Sequence, residues 1–356
     1  MVTRVAIVGL SLDEPRTVGP YRIEGIPDPV VSARSRDPGR FVRAGIDGAL
    51  PARGVQKAEG VDEYYRNREP WYMAACERLV RALAPYDVVV FSTYSFLHPE
   101  IVANALAGKT RVLGFTDDPH ATYVRGIPYL WAFDAAYHIS PSYSPTKAFA
   151  ELFRDLGFAK ARWLPLVQPV AFPELTQEQI LHRATGACYV GHPTRSKYAR
   201  LARMAKAFGP DMRLHGRWRL GGRIGYLAPL TGQPLLARTI TPLSAEAKRR
   251  LYLDTKIGLN MHVSDVPSEC GNMRTYEAAQ FGMMLLSDRA GLDLQTTIFE
   301  EGREAIYYEG TDEAIDLARH YMRNDGARTA IALAAHRRAH AEYRWDKVWL
   351  DFLNWL

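Results

Sequence analysis

The chain has only three cysteines in 356 residues, Cys76, Cys188 and Cys270, far apart and odd in number. That argues against a disulfide framework and against the paired spacing of a zinc site. No apolar run approaches the roughly 18–20 residues that span a bilayer. The opening MVTRVAIVGLSLDEP has too short an apolar core for a signal peptide and soon turns acidic. These absences point to a reducing, cytoplasmic setting. No G-x-x-x-x-G-K-[ST] is present, which counts against a P-loop enzyme. The GLSLDE after the first apolar run is not G-x-G-x-x-G, so the dinucleotide fingerprint is missing too. Internal repeats and low-complexity tracts are also absent.

The composition that remains is ordinary for a globular protein, with 47% apolar and 24% charged residues. The length exceeds one core and implies two domains of roughly 100–200 residues each. The net charge of +6 permits weak attraction to phosphates, nucleic acid or anionic membrane surfaces without choosing among them. The nearest thing to a basic cluster is RLHGRWRLGGR (213–223), either a solvated loop or a phosphate-facing one.

Apolar runs alternate with amphipathic helical stretches. The runs lie at 4–9, 87–92, 111–116, 135–140 and 161–166, then at 188–192, 212–216, 256–262, 283–288 and 305–309. Helical patterns fall near 71–84, 98–107, 145–157, 196–208, 244–254, 273–281 and 311–323. Continuous apolar strands separated by helices mean parallel sheets covered on both faces. The expected fold class is therefore α/β with two Rossmann-like domains, residues 1–168 and 169–342. The divide falls near PLVQPVAFPELTQEQ (165–179), a proline-rich linker. Two further helices follow, about 326–343 and 345–356. The tryptophan-rich tail from about 343 to 356 either packs back on the first domain or caps the second. Residues 11–68 are rich in Gly, Pro and Arg with little periodicity, and read as a long excursion above the cleft.

In open parallel sheets ligands bind at the carboxyl ends of the strands. After 87–92 comes His98. After 111–116 comes DDPHATY with Asp117, Asp118 and His120, placed for proton transfer or sugar-hydroxyl binding, or simply a turn. The two aspartates alone do not make a metal shell. After 188–192 come Arg195 and Lys197 at a helix start, which suits a diphosphate. After 256–262 comes PSECGNMRTYEAAQFG (267–282). In it Gly271 permits an unusual turn, Asn272 is a plausible N-cap, and Gly282 ends the helix. Tyr276, Ala279 and Phe281 face largely inward. Glu277 either caps its own helix or offers a carboxylate to the two hydroxyls of a ribose.

From KIGLNMHVSDVPSECGNMRTYEAAQFGMMLLSD through RTAIALAAHRRAHAEYRWDKV, the chain resembles the C-terminal domain of CgeB-type glycosyltransferases, which have the GT-B architecture. Asn272 or Asn260, Arg274, Glu277, Ala279 and Gly282 fit the family pattern, and VGHPTRSK and LHGRW resemble its preceding strands. The first half is similar more loosely, through SPSYSPTKAFAELFRDLGF. A wider similarity is to retaining family 4 glycosyltransferases, which carry two glutamates separated by seven residues, the spacing of Glu269 and Glu277. The resemblance implies that Glu277 binds the nucleotide ribose and that Glu269 lies beside the donor sugar. It makes Arg195, Lys197 and Arg274 candidates for the leaving diphosphate, with Asn272 and Tyr276 counted in the same donor-binding set. Asp118 and His120, at a position where such enzymes have acceptor-side or donor-sugar contacts, become catalytic candidates together with Glu269.

The implied activity is transfer of a sugar, of hexosyl type, from a UDP-, GDP- or dTDP-sugar to an acceptor hydroxyl, with retention and without a metal or other cofactor. The acceptor is open among a saccharide, lipid, protein or natural product, with peripheral membrane contact allowed. Nucleic acid is disfavoured, because no basic-aromatic interleaving suited to stacked bases is visible. The alternatives are a nucleotide-sugar epimerase, a DNA-base glycosyltransferase, or a nucleotide-sugar-binding module without catalysis.

Overall fold

The computed structural model describes residues 2–10, 12–28, 61–92, 97–115, 126–142, 148–191, 195–216, 242–262, 271–290 and 296–356. The chain divides into two compact units. The first takes most of residues 1–165 together with Asp346–Leu356, and the second takes Leu166–Trp345. Each is built on a sheet of parallel strands, so the fold class is α/β with Rossmann-like domains.

In the first unit the sheet runs β2-β3-β1-β4-β5-β6-β7. Its strands are β1 (Thr3–Val8), β2 (Arg16–Val18), β3 (Tyr21–Ile26), β4 (Val88–Phe91), β5 (Thr110–Phe115), β6 (Ala135–His138) and β7 (Ala161–Trp163). Central strands are apolar throughout because both faces are covered: all four residues of β4 are buried. Helices α1 (Pro70–Leu83), α2 (Pro99–Ala105) and α3 (Phe149–Asp155) belong to this unit. Tyr72, Ala75, Cys76, Leu79 and Leu83 of α1 join Val89, Phe91 and Leu113 in one core.

The excursion after β1 is not without structure. It holds β2 and β3, with β3 parallel to β1 in the register Val5↔Ile23 and β2 antiparallel to β3. Only Ile23 of β3 and Val18 of β2 are buried, so neither shows the continuous apolar run of the central strands. Residues 29–60 lie outside the described part.

The second unit carries β8 (Thr185–Val190), β9 (Met212–His215), β10 (Thr255–Asn260), β11 (Met284–Asp288) and β12 (Ala305–Tyr308), in the order β12-β11-β10-β8-β9. Its helices are α4 (Gln177–Leu181), α5 (Arg195–Phe208), α6 (Ala245–Asp254), α7 (Met273–Gln280), α8 (Thr311–Arg323) and α9 (Asp325–Glu342). The proline-rich stretch is tied to this unit: the Leu175 N–H donates to His336 Nε2 at 3.0 Å, and His340 Nε2 lies 3.0 Å from the Pro173 carbonyl. All ten apolar runs of the sequence are strands.

The last helix, α10 (Trp345–Trp355), packs on the first unit's sheet. Tyr137 meets the Phe352 ring edge-on at 5.4 Å, and the Tyr21 hydroxyl donates to the Leu353 carbonyl at 3.2 Å. Gly19, at φ +57°, lies so close to Leu350 that an added Cβ would stand 2.7 Å from it.

His138 at the end of β6 is a buried base. Its Nδ1 accepts from the Ser140 N–H at 2.8 Å, and its ring stacks on Phe149 with centroids 3.5 Å apart. Burial pushes its pKa down to about 3, only partly offset by the backbone of Ser140. Below the ordinary histidine value the unfolded chain therefore takes up a proton that the fold refuses, and stability falls with pH from about 6.5 towards 3. His138→Asn keeps an acceptor and cannot titrate. Its stability, read by urea denaturation between pH 4 and 7, is expected to depend less on pH than the parent's.

Candidate functional site

In the second unit the C-terminal ends of β8, β10 and β11 meet the starts of α5 and α7. The start of α7 is locally determined. Gly271 takes φ +79°, and Asn272 then caps the helix, its Oδ1 accepting from the Arg274 N–H at 3.1 Å. Gly282, at φ +65°, closes the other end, where the Met283 N–H reaches the Ala278 carbonyl at 2.8 Å.

Asn260, the fully buried last residue of β10, is the hub. Its Nδ2 donates to Thr275 Oγ1 and Ser287 Oγ, each at 3.1 Å, and its Oδ1 accepts from Arg274 Nε at 3.2 Å. Its backbone carbonyl accepts from the Tyr308 hydroxyl at 3.0 Å. One side chain and its carbonyl thus join β10 to α7, β11 and β12. The Arg274 guanidinium continues the join, donating to the carbonyls of Met261 at 3.1 Å and Val190 at 3.5 Å, and it lies 4.8 Å from the centre of the Tyr189 ring. Gly191 makes room for it, since a Cβ there would fall 2.5 Å from Arg274 Nη1.

Glu277 is buried on α7 with its carboxylate held from α6. Lys248 Nζ donates to Oε1 at 2.5 Å and the Tyr252 hydroxyl to Oε2 at 3.1 Å. Burial and the neighbouring carboxylate push the Tyr252 phenol well above its ordinary value, so it stays a donor. Lys248 and Tyr252 are four residues apart on one helix face.

A second carboxylate ends β11. Asp288 accepts from the His262 backbone N–H at 3.1 Å and lies 2.7 Å from His262 Nδ1, with Arg200 Nη1 at 3.7 Å from its Oδ2. Burial alone would raise its pKa; the His262 contacts and Lys197 outweigh that and hold the carboxyl below its ordinary value. Two buried side-chain atoms here have no partner, His262 Nε2 and Asn272 Nδ2.

The residues expected from sequence fare differently. Lys197, Asn272, Arg274 and Glu277 gather at this edge. Arg195 begins α5, and its side chain lies outside the described part. Tyr276 belongs elsewhere: it has no exposed surface and packs edge-on against Tyr343 at 5.1 Å, so helix geometry turns it into the core instead of towards a donor. Asp117, Asp118, His120 and Glu269 lie outside the described residues. In the first unit His98 caps α2 through Nδ1, which accepts from the Glu100 N–H at 3.3 Å, and it stacks on Tyr65 at 3.9 Å. Sequence reading leaves out Lys248, Tyr252, His262 and Asp288. The available signal for the last two is that adjacent parallel strands each run out into a polar side chain. Among the described residues, no group of three or more His, Cys, Asp or Glu is placed to hold a metal ion.

Replacing Asn260 by Leu strands Arg274 Nε and the two hydroxyls it joins. Buried polar groups left unmade cost about 1–3 kcal/mol each. The variant is expected to lose about 2–4 kcal/mol in urea denaturation, and Ser287→Ala, which removes one partner, about 1 kcal/mol.

Residues 195–354 match the family model described as glycosyl transferase-like. A search of curated proteins finds no match to the chain. Among solved structures, the chain is similar to Anabaena Alr3699/HepE in complex with UDP-glucose, at 14% identity over 99% of this chain and 100% of that one, with a TM-score of 0.57. The same protein in complex with UDP matches over 79% of this chain and 80% of that one, at 16% identity and a TM-score of 0.54. The N-terminal domain of Candida albicans trehalose-6-phosphate phosphatase matches over 100% and 97%, at 11% identity and a TM-score of 0.60. The shared property is the fold, an α/β architecture of parallel-sheet Rossmann-like domains found in GT-B glycosyltransferases.

Proposed function

We propose that the chain is a glycosyltransferase that takes a nucleotide-diphosphate sugar as donor and transfers the sugar, of hexosyl type and with retention, to an acceptor hydroxyl. The observation that carries this reading is the Glu277 carboxylate. Lys248 and Tyr252 each engage one of its oxygens and fix its orientation. Each carboxylate oxygen has two acceptor positions, so capacity remains for the two hydroxyls of a ribose. The glycosyl transferase-like match over 195–354 and the fold shared with a protein that binds UDP and UDP-glucose support the same donor class.

Transfer breaks the bond between the sugar C1 and a diphosphate oxygen, and the electron pair leaves with the diphosphate. Negative charge grows on that oxygen and positive charge on the ring. Lys197, Arg195, Arg274 and the helix N-termini of α5 and α7 are the groups suited to the first charge. Three of the five Arg274 donors are engaged by protein, which makes it a brace first and leaves two for a ligand. In this reading Glu269 serves the sugar ring, and Asp118 or His120 receives the acceptor proton.

Calorimetry with UDP, GDP, dTDP and ADP is expected to show binding of at least one, with Glu277→Ala weakening it tenfold or more, about 1.4 kcal/mol or above. If none binds at millimolar concentration, or if Glu277→Ala binds as tightly as the parent, the donor reading is wrong.

A further inference from the structure

The roles above leave unused the pair that ends β10 and β11. Asp288 lies 2.7 Å from His262 Nδ1, and an ionised carboxylate only accepts, so Nδ1 carries a hydrogen. Nε2 is then the working end of the ring, buried and without a partner, in a residue that is 2% exposed. Sealing a polar atom in that way is costly, about 1–3 kcal/mol, and each such atom calls for an explanation. The charged groups around it favour an anion. Asp288 contributes one carboxylate from β11. Against it stand Lys197 and Arg200 from α5, and Arg274 from α7, which hydrogen-bonds the carbonyl of the adjacent Met261. Tyr308 of β12 is neutral, its phenol pushed well up by burial.

We infer that His262 is a phosphate-contacting residue of this edge, oriented by Asp288, and that its Nε2 hydrogen-bonds a phosphoryl oxygen. The identification of that anion with the donor's diphosphate rests on the glycosyltransferase reading. The ring has no exposed surface, so the groups that cover it shift when the contact forms.

The test uses the full chain, with inorganic pyrophosphate and UDP as separate probes. Histidine-labelled protein is followed by ¹⁵N NMR, and the probes are titrated by calorimetry. Saturating pyrophosphate is expected to move the His262 Nε2 resonance. His262→Ala is expected to bind pyrophosphate about tenfold more weakly, with His262→Gln recovering part of the loss. An unmoved Nε2 resonance at saturation overturns the inference. So does failure of both probes to bind, which also removes the donor reading. Pyrophosphate that moves the resonance while UDP fails to bind upholds the inference and rejects the donor. UDP that binds without moving it does the reverse. If the variants do not fold, the resonance in the parent decides alone.

Discussion

The edge of the second unit where β8, β10 and β11 end depends on one hydrogen bond, from Arg274 Nε to Asn260 Oδ1. Asn260 ends a buried strand where backbone pairing stops, and all its side-chain polar atoms are satisfied from other elements. Arg274 extends the join to the carbonyls that end β8 and β10. A planar guanidinium suits this role because its donors diverge in a fixed fork. The start of α7 is thereby fixed against three strand ends, and that fixes where Glu277 stands one turn later.

The carboxylates of this edge are held in the same manner. Glu277 and Asp288 each take hydrogen bonds from a neighbouring element, one from α6 and the other from the end of β10. Neither is left to solvent. Side chains fixed by packed helices and strands lose little freedom on meeting a ligand, which is the physical content of preorganisation. The histidine and the asparagine cap leave one atom each unmatched, and both lie in this same region.

Much of this was legible in the sequence, for a definite reason. Strands covered on both faces are written as unbroken apolar runs, so the interior strands β1, β4, β5, β6, β8, β10 and β11 stand out. The strands β2 and β3 do not, because RTV and YRIEGI bury one residue each. The start of α7 was legible because a left-handed glycine, an asparagine cap and a closing glycine act over a few residues. The partners of Glu277 were not. Lys248 and Tyr252 sit 29 and 25 residues away, and only the packing of α6 beside α7 brings them together. His262 and Asp288 meet because β10 and β11 pair in parallel with Asn260 opposite Ser287, a register no local pattern specifies. Tyr276 shows the converse hazard: it sits within the motif, but helical periodicity turns it inwards.

The central claim is that Glu277 receives a nucleotide ribose at the start of α7. A crystal structure with bound UDP tests it most directly. The account predicts the ribose hydroxyls within hydrogen-bond distance of the Glu277 carboxylate and the diphosphate at the starts of α5 and α7. A nucleotide bound elsewhere, with Glu277 still engaged by Lys248 and Tyr252 alone, would contradict it.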